Sequence, residues 1–331
     1  MSNWQQQLSQ GFSSASDLLA FLEIEPAHAS LYAEQQFKTK VPRGFAARMK
    51  KGDIYDPLLK QVLAVHDELE IVAHYSTDPL GEKSFNPMPG LIHKYHNRVL
   101  LMLSGACAVH CRYCFRRHFP YQENQPGKVG LREIVDYLKR HPQVNEVILS
   151  GGDPMLLNNH YFQTILEYLQ ELTSLKVVRI HSRIPVVLPS RIEKDWLQLF
   201  APYPWQKIMV THANHAQELD ESVTQAISLL KSSGWMVLNQ AVLLAGVNDS
   251  LQAQISLSHQ LLAAGILPYY LHLLDSVQGA AHFEVPQARA MSIYAEMQRH
   301  LSGYMVPKLV KEQPGRPHKT LISADMVSGI S

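Results

Sequence analysis

The chain is poor in cysteine, in net charge and in long apolar runs. Its 331 residues include three cysteines, an odd number that does not suit a disulfide framework. Thirty basic and 29 acidic residues give a formal net charge of +1, so no global field attracts nucleic acid or anionic lipid. No apolar run approaches the length of a membrane span, and the N-terminus lacks a basic stretch followed by an apolar core. These absences predict a cytoplasmic protein that contacts neither a membrane nor nucleic acid directly.

The remaining composition is that of a globular enzyme, with 46% apolar and 18% charged residues. Residues 1–90 are predicted to form a helical region that ends in a Pro- and Gly-rich linker at 78–90. Residues 91–290 alternate between strand and helix patterns, and residues 291–331 form a short C-terminal segment. The predicted strands are 99–104, 146–150, 177–181, 207–211, 236–244 and 267–274.

Six strands separated by helices predict an α/β fold of parallel βαβ units with right-handed crossovers. Six such units make a partial (β/α)6 TIM-like barrel that is open on one side. Functional side chains in barrels of this kind gather at the carboxyl ends of the strands. The loop after the first predicted strand is therefore a candidate site.

That loop contains every cysteine of the chain. Cys107, Cys111 and Cys114 have CxxxCxxC spacing within "GACAVHCRYCF". One interpretation is a zinc site completed by His118, but structural zinc favours two separated pairs of ligands. The other is a [4Fe–4S] cluster held by three thiolates, in which one iron keeps an open position; such clusters usually take four cysteines. The compact triplet favours the cluster.

CxxxCxxC after the first strand of an α/β barrel resembles the radical S-adenosylmethionine (SAM) superfamily, and Tyr113 before the last cysteine fits that pattern. The resemblance implies the partial barrel of the radical SAM type, with an N-terminal helical extension. It also implies that the open iron chelates the amino and carboxyl groups of the methionine moiety.

Six further stretches resemble the lysine 2,3-aminomutase family, and the resemblance covers roughly residues 45–325. They are LSGGDPMLL (149–157), RIHSRIPVVLPSRI (179–192), VTHANHAQEL (210–219), LNQAVLLAGVNDS (238–250), LPYYLHLLDSVQGAAHF (267–283) and QPGRPHKT (313–320). With no cysteine after Lys319, the chain is most similar to the type that supplies (R)-β-lysine for modification of translation elongation factor P.

This resemblance implies an isomerase that converts L-lysine to β-lysine with a [4Fe–4S] cluster, SAM and pyridoxal phosphate. It implies an electron donor such as flavodoxin or ferredoxin, and a functional link to an elongation factor P lysyl-ligase. A homo-oligomer is compatible with the sequence.

The resemblance also assigns residues. SAM is expected near Gly151, Gly152, Asp153, His212 and Gln240, with Asp153 either supplying charge or orienting its turn. Glycine suits a backbone that a ligand approaches closely.

Pyridoxal phosphate is expected as an imine on Lys319, with its phosphate near Lys94, Tyr95 and Arg98. The family approaches that lysine through glycines, whereas this chain has Arg316, Pro317 and His318 there. The departure changes the expected backbone path but not the position of the lysine.

The substrate is expected to be held at both ends. Arg116 would bind the α-carboxylate, because a guanidinium fork matches the plane of a carboxylate. Asp275 and Glu312 would receive the ε-ammonium, although the family has aspartate at the second place. Two acids favour lysine over glutamate as the substrate. The alternatives are a glutamate or other amino acid 2,3-aminomutase and a zinc-stabilised, non-catalytic binding protein.

Overall fold

A single nine-stranded sheet organises the computed structural model, which describes residues 3–316 and 318–322. The strands are β1 (Leu91–Tyr95), β2 (Arg98–Ser104), β3 (Glu146–Gly151), β4 (Val177–His181), β5 (Gln206–Thr211), β6 (Trp235–Val242), β7 (Leu267–His272), β8 (Lys308–Lys311) and β9 (Thr320–Leu321). They lie side by side in chain order. β2 to β8 are parallel, and β1 and β9 add antiparallel edges.

All six predicted strands are present as β2 to β7, and the partial TIM-like barrel is confirmed. In the described part of the chain β1 and β9 do not pair, so the wall stays open between them. The sequence did not predict β1, β9 or the seventh parallel strand, β8. At four residues, KLVK, β8 is too short to show a clear alternation.

Short helices precede the barrel, as predicted. They are α1 (Asn3–Ser9), α2 (Ala15–Phe21), α3 (Leu31–Gln36), α4 (Arg43–Ala46) and α5 (Pro57–Lys60), with 3₁₀ segments at Pro26–His28, His66–Leu69 and Glu82–Phe85. Side-chain oxygens cap α2, α3 and α5 at their N-termini. The last 3₁₀ segment lies inside the predicted linker.

Helices of varied length cover the outside of the sheet. They are α6 (Gly127–Lys139), α7 (Asn159–Leu169), α8 (Ile184–Val187), α9 (Lys194–Gln198), α10 (Glu221–Ser232), α11 (Leu251–Ala263) and α12 (Gln287–His300). Short 3₁₀ segments lie at Tyr121–Asn124, Pro154–Leu156, Pro189–Arg191, Ala216–Glu218, Ala281–Phe283 and Gly303–Met305. In α7 the N-cap Asn158 accepts a hydrogen bond from the Tyr161 backbone N at 2.8 Å. No helix in the described ranges is both long and apolar enough to cross a bilayer.

The side chains of each strand alternate between the helices and the barrel interior. In β3, Val147 and Leu149 join the main apolar core, and Ile148 and Ser150 point to the opposite face. That core runs from Trp4 to Ile322 and so includes residues of the N-terminal region, the barrel and the C-terminal segment. The predicted division at residues 90 and 290 remains a proposal about organisation.

Candidate active site

The cysteine loop follows β2 at the carboxyl edge of the sheet, where functional groups were expected. Cys107, Cys111 and Cys114 are free thiols and half-buried. Burial raises the pKa of Cys107 well above its ordinary value, and neighbouring Cys114 raises it further. Burial and Cys111 raise the pKa of Cys114 to about 11. Burial therefore opposes ionisation of Cys107 and Cys114 in the absence of a cation, and the thiolate is the form that binds a metal.

The donor geometry does not match a single-metal site. Within residues 3–316 and 318–322, no three His, Cys, Asp or Glu side chains converge closely enough to hold one ion. The His118 Nε2 lies 3.2 Å from the backbone oxygen of Gln278. A cluster places each thiolate on a separate iron, so its ligands need not converge. The arrangement fits the cluster better than the zinc alternative.

Gly151 and Gly152 pack directly against the cysteine loop. Gly151 has a φ of +130°, and a Cβ there would clash with the Ser104 backbone oxygen. At Gly152 a Cβ would lie 2.6 Å from the Ala106 oxygen and 3.0 Å from Cys107 Sγ. Both positions require glycine. The turn after β3 therefore brings bare backbone to the cysteine loop, where the SAM amino group is expected.

Asp153 is held by protein atoms rather than directed at a ligand. Its buried carboxylate accepts hydrogen bonds from Ser182 Oγ at 2.7 Å and from the backbone N of Met155, Arg183 and Ile184. Burial raises its pKa to about 6 although these bonds favour ionisation. Of the two roles considered for Asp153, the contacts support orientation of the turn.

His212 and Gln240 occupy the carboxyl ends of β5 and β6. The Tyr113 hydroxyl lies 2.8 Å from His212 Nε2 and 3.2 Å from Gln61 Oε1, and Asn214 Nδ2 donates to it at 2.7 Å. Burial, followed by nearby Arg183, lowers the pKa of His212 well below its ordinary value. His212 is therefore neutral and ordered, whereas the Gln240 amide has no hydrogen-bond partner among the described residues.

Arg183 connects the cysteine loop to the N-terminal region. It donates to Cys111 Sγ at 2.8 Å, to Gln61 Oε1 at 2.6 Å and to Glu218 Oε2 at 2.9 Å. Sequence reasoning missed these contacts. Arg183 lies in the stretch 179–192 that resembles the family, but Gln61 precedes it by 122 residues. No local pattern indicates a pair so far apart in the chain.

Side chains that are expected to bind pyridoxal phosphate contact Glu312. Its Oε1 lies 2.5 Å from Lys94 Nζ and 3.2 Å from the Tyr95 hydroxyl, and its Oε2 lies 2.5 Å from Lys319 Nζ. The Arg98 guanidinium stacks on the Tyr95 ring at 3.9 Å. The fold therefore gathers three candidate cofactor groups around one carboxylate, and Arg98 lies against one of them, Tyr95. Pro317 lies outside the described residues.

Asp275 and Glu312 line one cavity of about 560 Å³ and have contrasting environments. Burial opposes ionisation of Glu312, but Lys319 and Lys94 outweigh it and lower its pKa to about 2. Burial raises the pKa of Asp275 to about 7, although Lys319 opposes the shift. The buried Asp275 Oδ1 has no hydrogen-bond partner within the described ranges. One acid is therefore paired and the other is not.

Arg116 already holds a carboxylate, that of Glu82. Its Nη2 and Nε donate to the two Glu82 oxygens at 2.6 and 2.8 Å, and its Nη1 donates to Ser150 Oγ at 3.2 Å. The sequence did not indicate Glu82, because the linker pattern at 78–90 carries no information about partners. The contact shows that the geometry of Arg116 suits bidentate recognition of a carboxylate.

Comparison with known proteins agrees with this geometry. Residues 101–252 match the radical SAM superfamily. The chain is 46% identical to L-lysine 2,3-aminomutase of Escherichia coli (strain K12), over 96% of this chain and 94% of the relative. It is 44% identical to that of Haemophilus influenzae over 96% and 95%, and 40% identical to that of Buchnera aphidicola over 98% and 96%.

The chain belongs to the lysine 2,3-aminomutase family. Lysine 2,3-aminomutases are isomerases that use a [4Fe–4S] cluster, SAM and pyridoxal phosphate. The resemblance, the fold class and the cofactors inferred from the sequence are thus confirmed. The zinc-stabilised binding protein is excluded as the function.

Proposed function

We propose that this lysine 2,3-aminomutase converts L-lysine to (R)-β-lysine for modification of translation elongation factor P. The observation that carries the choice of substrate is the unpaired, buried carboxylate of Asp275 in the cavity that Glu312 also lines. A buried charge is costly unless a partner arrives. The ε-ammonium of lysine is such a partner.

The cofactors supply the bond chemistry: the cluster and SAM generate a radical, and pyridoxal phosphate carries the migrating nitrogen. The protein supplies placement and excludes side reactions. Hydrogen transfer requires near-contact distances, so small displacements of the substrate cost large factors in rate. Residues that fix the two ends of lysine therefore matter as much as the cofactor ligands.

Arg116 is proposed to bind the α-carboxylate, and its position two residues after Cys114 sets that end of the substrate close to the cluster. Gly151 and Gly152 are proposed to present backbone to SAM, which His212 and Gln240 would contact from neighbouring strands. The bare glycine backbone beside Cys107 supports this arrangement.

Lys319 is proposed to hold pyridoxal phosphate, with Lys94, Tyr95 and Arg98 around its phosphate. Binding would engage Lys94 and Lys319, the two cations that now neutralise Glu312. Glu312 would then join Asp275 in receiving the ε-ammonium. Loading of the cofactor would in this way complete the lysine site.

Lysine is favoured over glutamate by charge. The side-chain carboxylate of glutamate would lie next to two acids, Asp275 and Glu312, where a favourable site would need an arginine. Breaking a buried charge pair costs roughly 3–5 kcal/mol, so an amino acid without the ε-ammonium should bind roughly two to three powers of ten more weakly.

Anaerobic turnover tests the proposal. The reconstituted enzyme is incubated with SAM, dithionite, pyridoxal phosphate and either L-lysine or L-glutamate, and products are identified by mass and chirality. (R)-β-Lysine is expected from lysine, with little product from glutamate. An (S) product, or preference for glutamate, would contradict the proposal.

The proposed cellular role places the enzyme in the cytoplasm, with flavodoxin or ferredoxin as electron donor and an elongation factor P lysyl-ligase using the product. Replacing dithionite by a reduced flavodoxin or ferredoxin should sustain turnover. Coupling the reaction to the ligase should transfer the product to elongation factor P. Failure of ligase transfer with authentic product present would remove this role but not the aminomutase activity.

Chemical trapping tests the cofactor lysine. Borohydride reduction of the loaded protein should fix pyridoxal phosphate to Lys319, which peptide mass spectrometry locates. Lys319→Ala should lose the label. Label on Lys94, the other lysine bound to Glu312, would show that the assignment of the two lysines is reversed.

A further inference from the structure

We propose that Glu82 is a positioning residue for the substrate carboxylate. It binds the Nε–Nη2 edge of the Arg116 guanidinium and leaves one N–H donor on each Nη for the substrate. The inference rests on the proposed role of Arg116 and names a residue of the predicted linker as part of the site.

The Glu82–Arg116 contact is made side-on. The two carboxylate oxygens accept from Nε and Nη2, at 2.8 and 2.6 Å, which is the lateral edge of the guanidinium. Ser150 Oγ accepts from Nη1 at 3.2 Å. An arginine anchored through Nε in this way cannot rotate its fork without losing both bonds to Glu82.

Counting donors shows what remains for a ligand. A guanidinium has five N–H donors, and these contacts use one on Nε, one on Nη2 and one on Nη1. One donor is left on each Nη. Donors on the two Nη atoms of an arginine can bind both oxygens of a carboxylate through two parallel hydrogen bonds. Glu82 and a substrate can therefore share Arg116.

The surroundings make the anchor rigid. The side chains of Arg116 and Glu82 are 8% and 13% exposed. The guanidinium carbon lies 4.8 Å from the centre of the Phe115 ring and 5.9 Å from that of Phe119. These contacts hold the guanidinium in one orientation before substrate arrives.

A turn in the linker positions Glu82 beside Arg116. Gly81 has a φ of +62°, and the Asp78 carboxylate accepts a hydrogen bond from the Glu82 backbone N at 3.1 Å. A Cβ on Gly81 would lie 4.0 Å from Pro314, in the loop that leads to Lys319. The segment therefore lies close to the loop that leads to the cofactor lysine.

The test compares lysine with lysinamide, which lacks the carboxylate. Each is titrated into protein loaded with pyridoxal phosphate, and binding is read from the visible absorbance of the cofactor, without turnover. In Glu82→Gln we expect the dissociation constant of lysine to rise about tenfold and that of lysinamide to change less than about twofold. Lys83→Gln, an exposed neighbour on the same 3₁₀ segment, should behave like the wild type.

Two results would overturn the inference. Tighter lysine binding by Glu82→Gln would show that Glu82 competes for Arg116 instead of orienting it. Equal weakening of lysine and lysinamide would show that Glu82 only supports the fold. If Glu82→Gln does not fold, Glu82→Asp keeps the charge on a shorter side chain and should show a smaller, still lysine-specific loss.

The proposed role of Arg116 is tested separately in the same assay. Wild-type protein should prefer lysine to lysinamide, and Arg116→Gln should abolish the preference. Absence of the preference in the wild type would remove Arg116 from the substrate site. A wild-type preference that Glu82→Gln leaves intact would reject the role of Glu82 alone.

Discussion

At Gly152 the turn after β3 approaches the cysteine loop so closely that no side chain fits between them. Gly152→Ala would place a methyl group 2.6 Å from the Ala106 oxygen and 3.0 Å from Cys107 Sγ. Overpacking of this kind costs about 1–3 kcal/mol. We expect anaerobically reconstituted Gly152→Ala to retain several-fold less iron than the wild type.

The matched control is Gly44→Ala, because a Cβ there has no neighbour within 4 Å. Its iron content should equal that of the wild type, which should approach four irons and four sulfides per chain. Full iron retention by Gly152→Ala would mean that the cysteine loop can move away from the turn without losing its ligand geometry.

The pKa of Asp275 predicts a pH dependence of substrate binding. Burial raises it from 3.8 to about 7, so below about pH 7 the carboxyl is protonated and cannot pair with an ammonium. The affinity for lysine should fall as the pH drops below about 7, by up to about tenfold per unit. The measurement is the ratio of the dissociation constants of lysine and norleucine across the pH range, since norleucine lacks the ε-ammonium.

Asp275→Asn should remove the pH step while leaving norleucine binding unchanged. The same shift has a consequence for the ligand-free fold, because the folded state holds this proton more tightly than the unfolded state does. The stability that the group contributes is complete below about pH 4 and is lost as the pH rises through about 7. A lysine-to-norleucine ratio that does not vary with pH would place the ε-ammonium away from Asp275.

The sequence predicts a site residue when that residue belongs to a compact motif, and it misses a residue whose partner is distant in the chain. The three cysteines and the glycine pair are visible because each is a compact pattern beside a strand end. Glu82 and Gln61 are not, because each acts through a partner that only the folded chain brings near. The resemblance supplied Lys319 and Glu312, yet the contact between them appears only in the structure.

At the scale of elements, the regular barrel was predictable and its C-terminal edge was not. Buried strands and capped helices repeat from β2 to β7, so periodicity finds them. β8 and β9 pair through two positions, Val310 with Leu321 and Lys311 with Thr320. β8 forms because the existing edge of β7 accepts it, and β9 then pairs with β8. No local sequence pattern encodes either pairing.

This edge hairpin should control loading of pyridoxal phosphate more than assembly of the cluster. Leu309 in β8 is 1% exposed and packs into the main core. Leu309→Ala removes buried atoms at a cost of about 2–5 kcal/mol and should loosen the segment that presents Glu312 and Lys319. We expect its pyridoxal phosphate content to fall while its iron content is retained.

Leu321→Ala is the matched control, since Leu321 lies in the same hairpin but is 57% exposed. It should keep both cofactors. If the iron and pyridoxal phosphate contents of Leu309→Ala fall in parallel, the hairpin does not act on pyridoxal phosphate binding alone. It is then part of one cooperative unit with the cysteine loop.

At the scale of the whole molecule, the N-terminal region acts as a support for the cysteine loop. Glu68 is bound by Arg112 at 2.6 Å and by Arg117 at 2.9 Å, and all three side chains are at most 2% exposed. The two arginines lie on either side of Cys114 in the sequence. Removing the shared carboxylate leaves two buried cations without their partner.

We therefore expect Glu68→Gln to lower the free energy of unfolding by about 3–5 kcal/mol. The loss should appear as one cooperative transition, because residues 3–90 share their core with the barrel. Denaturant unfolding followed by both far-UV circular dichroism and tryptophan fluorescence measures it, and Glu70→Gln, at an exposed position two residues away, is the control. Two separate transitions, with only the first shifted, would show instead that residues 3–90 unfold independently of the barrel.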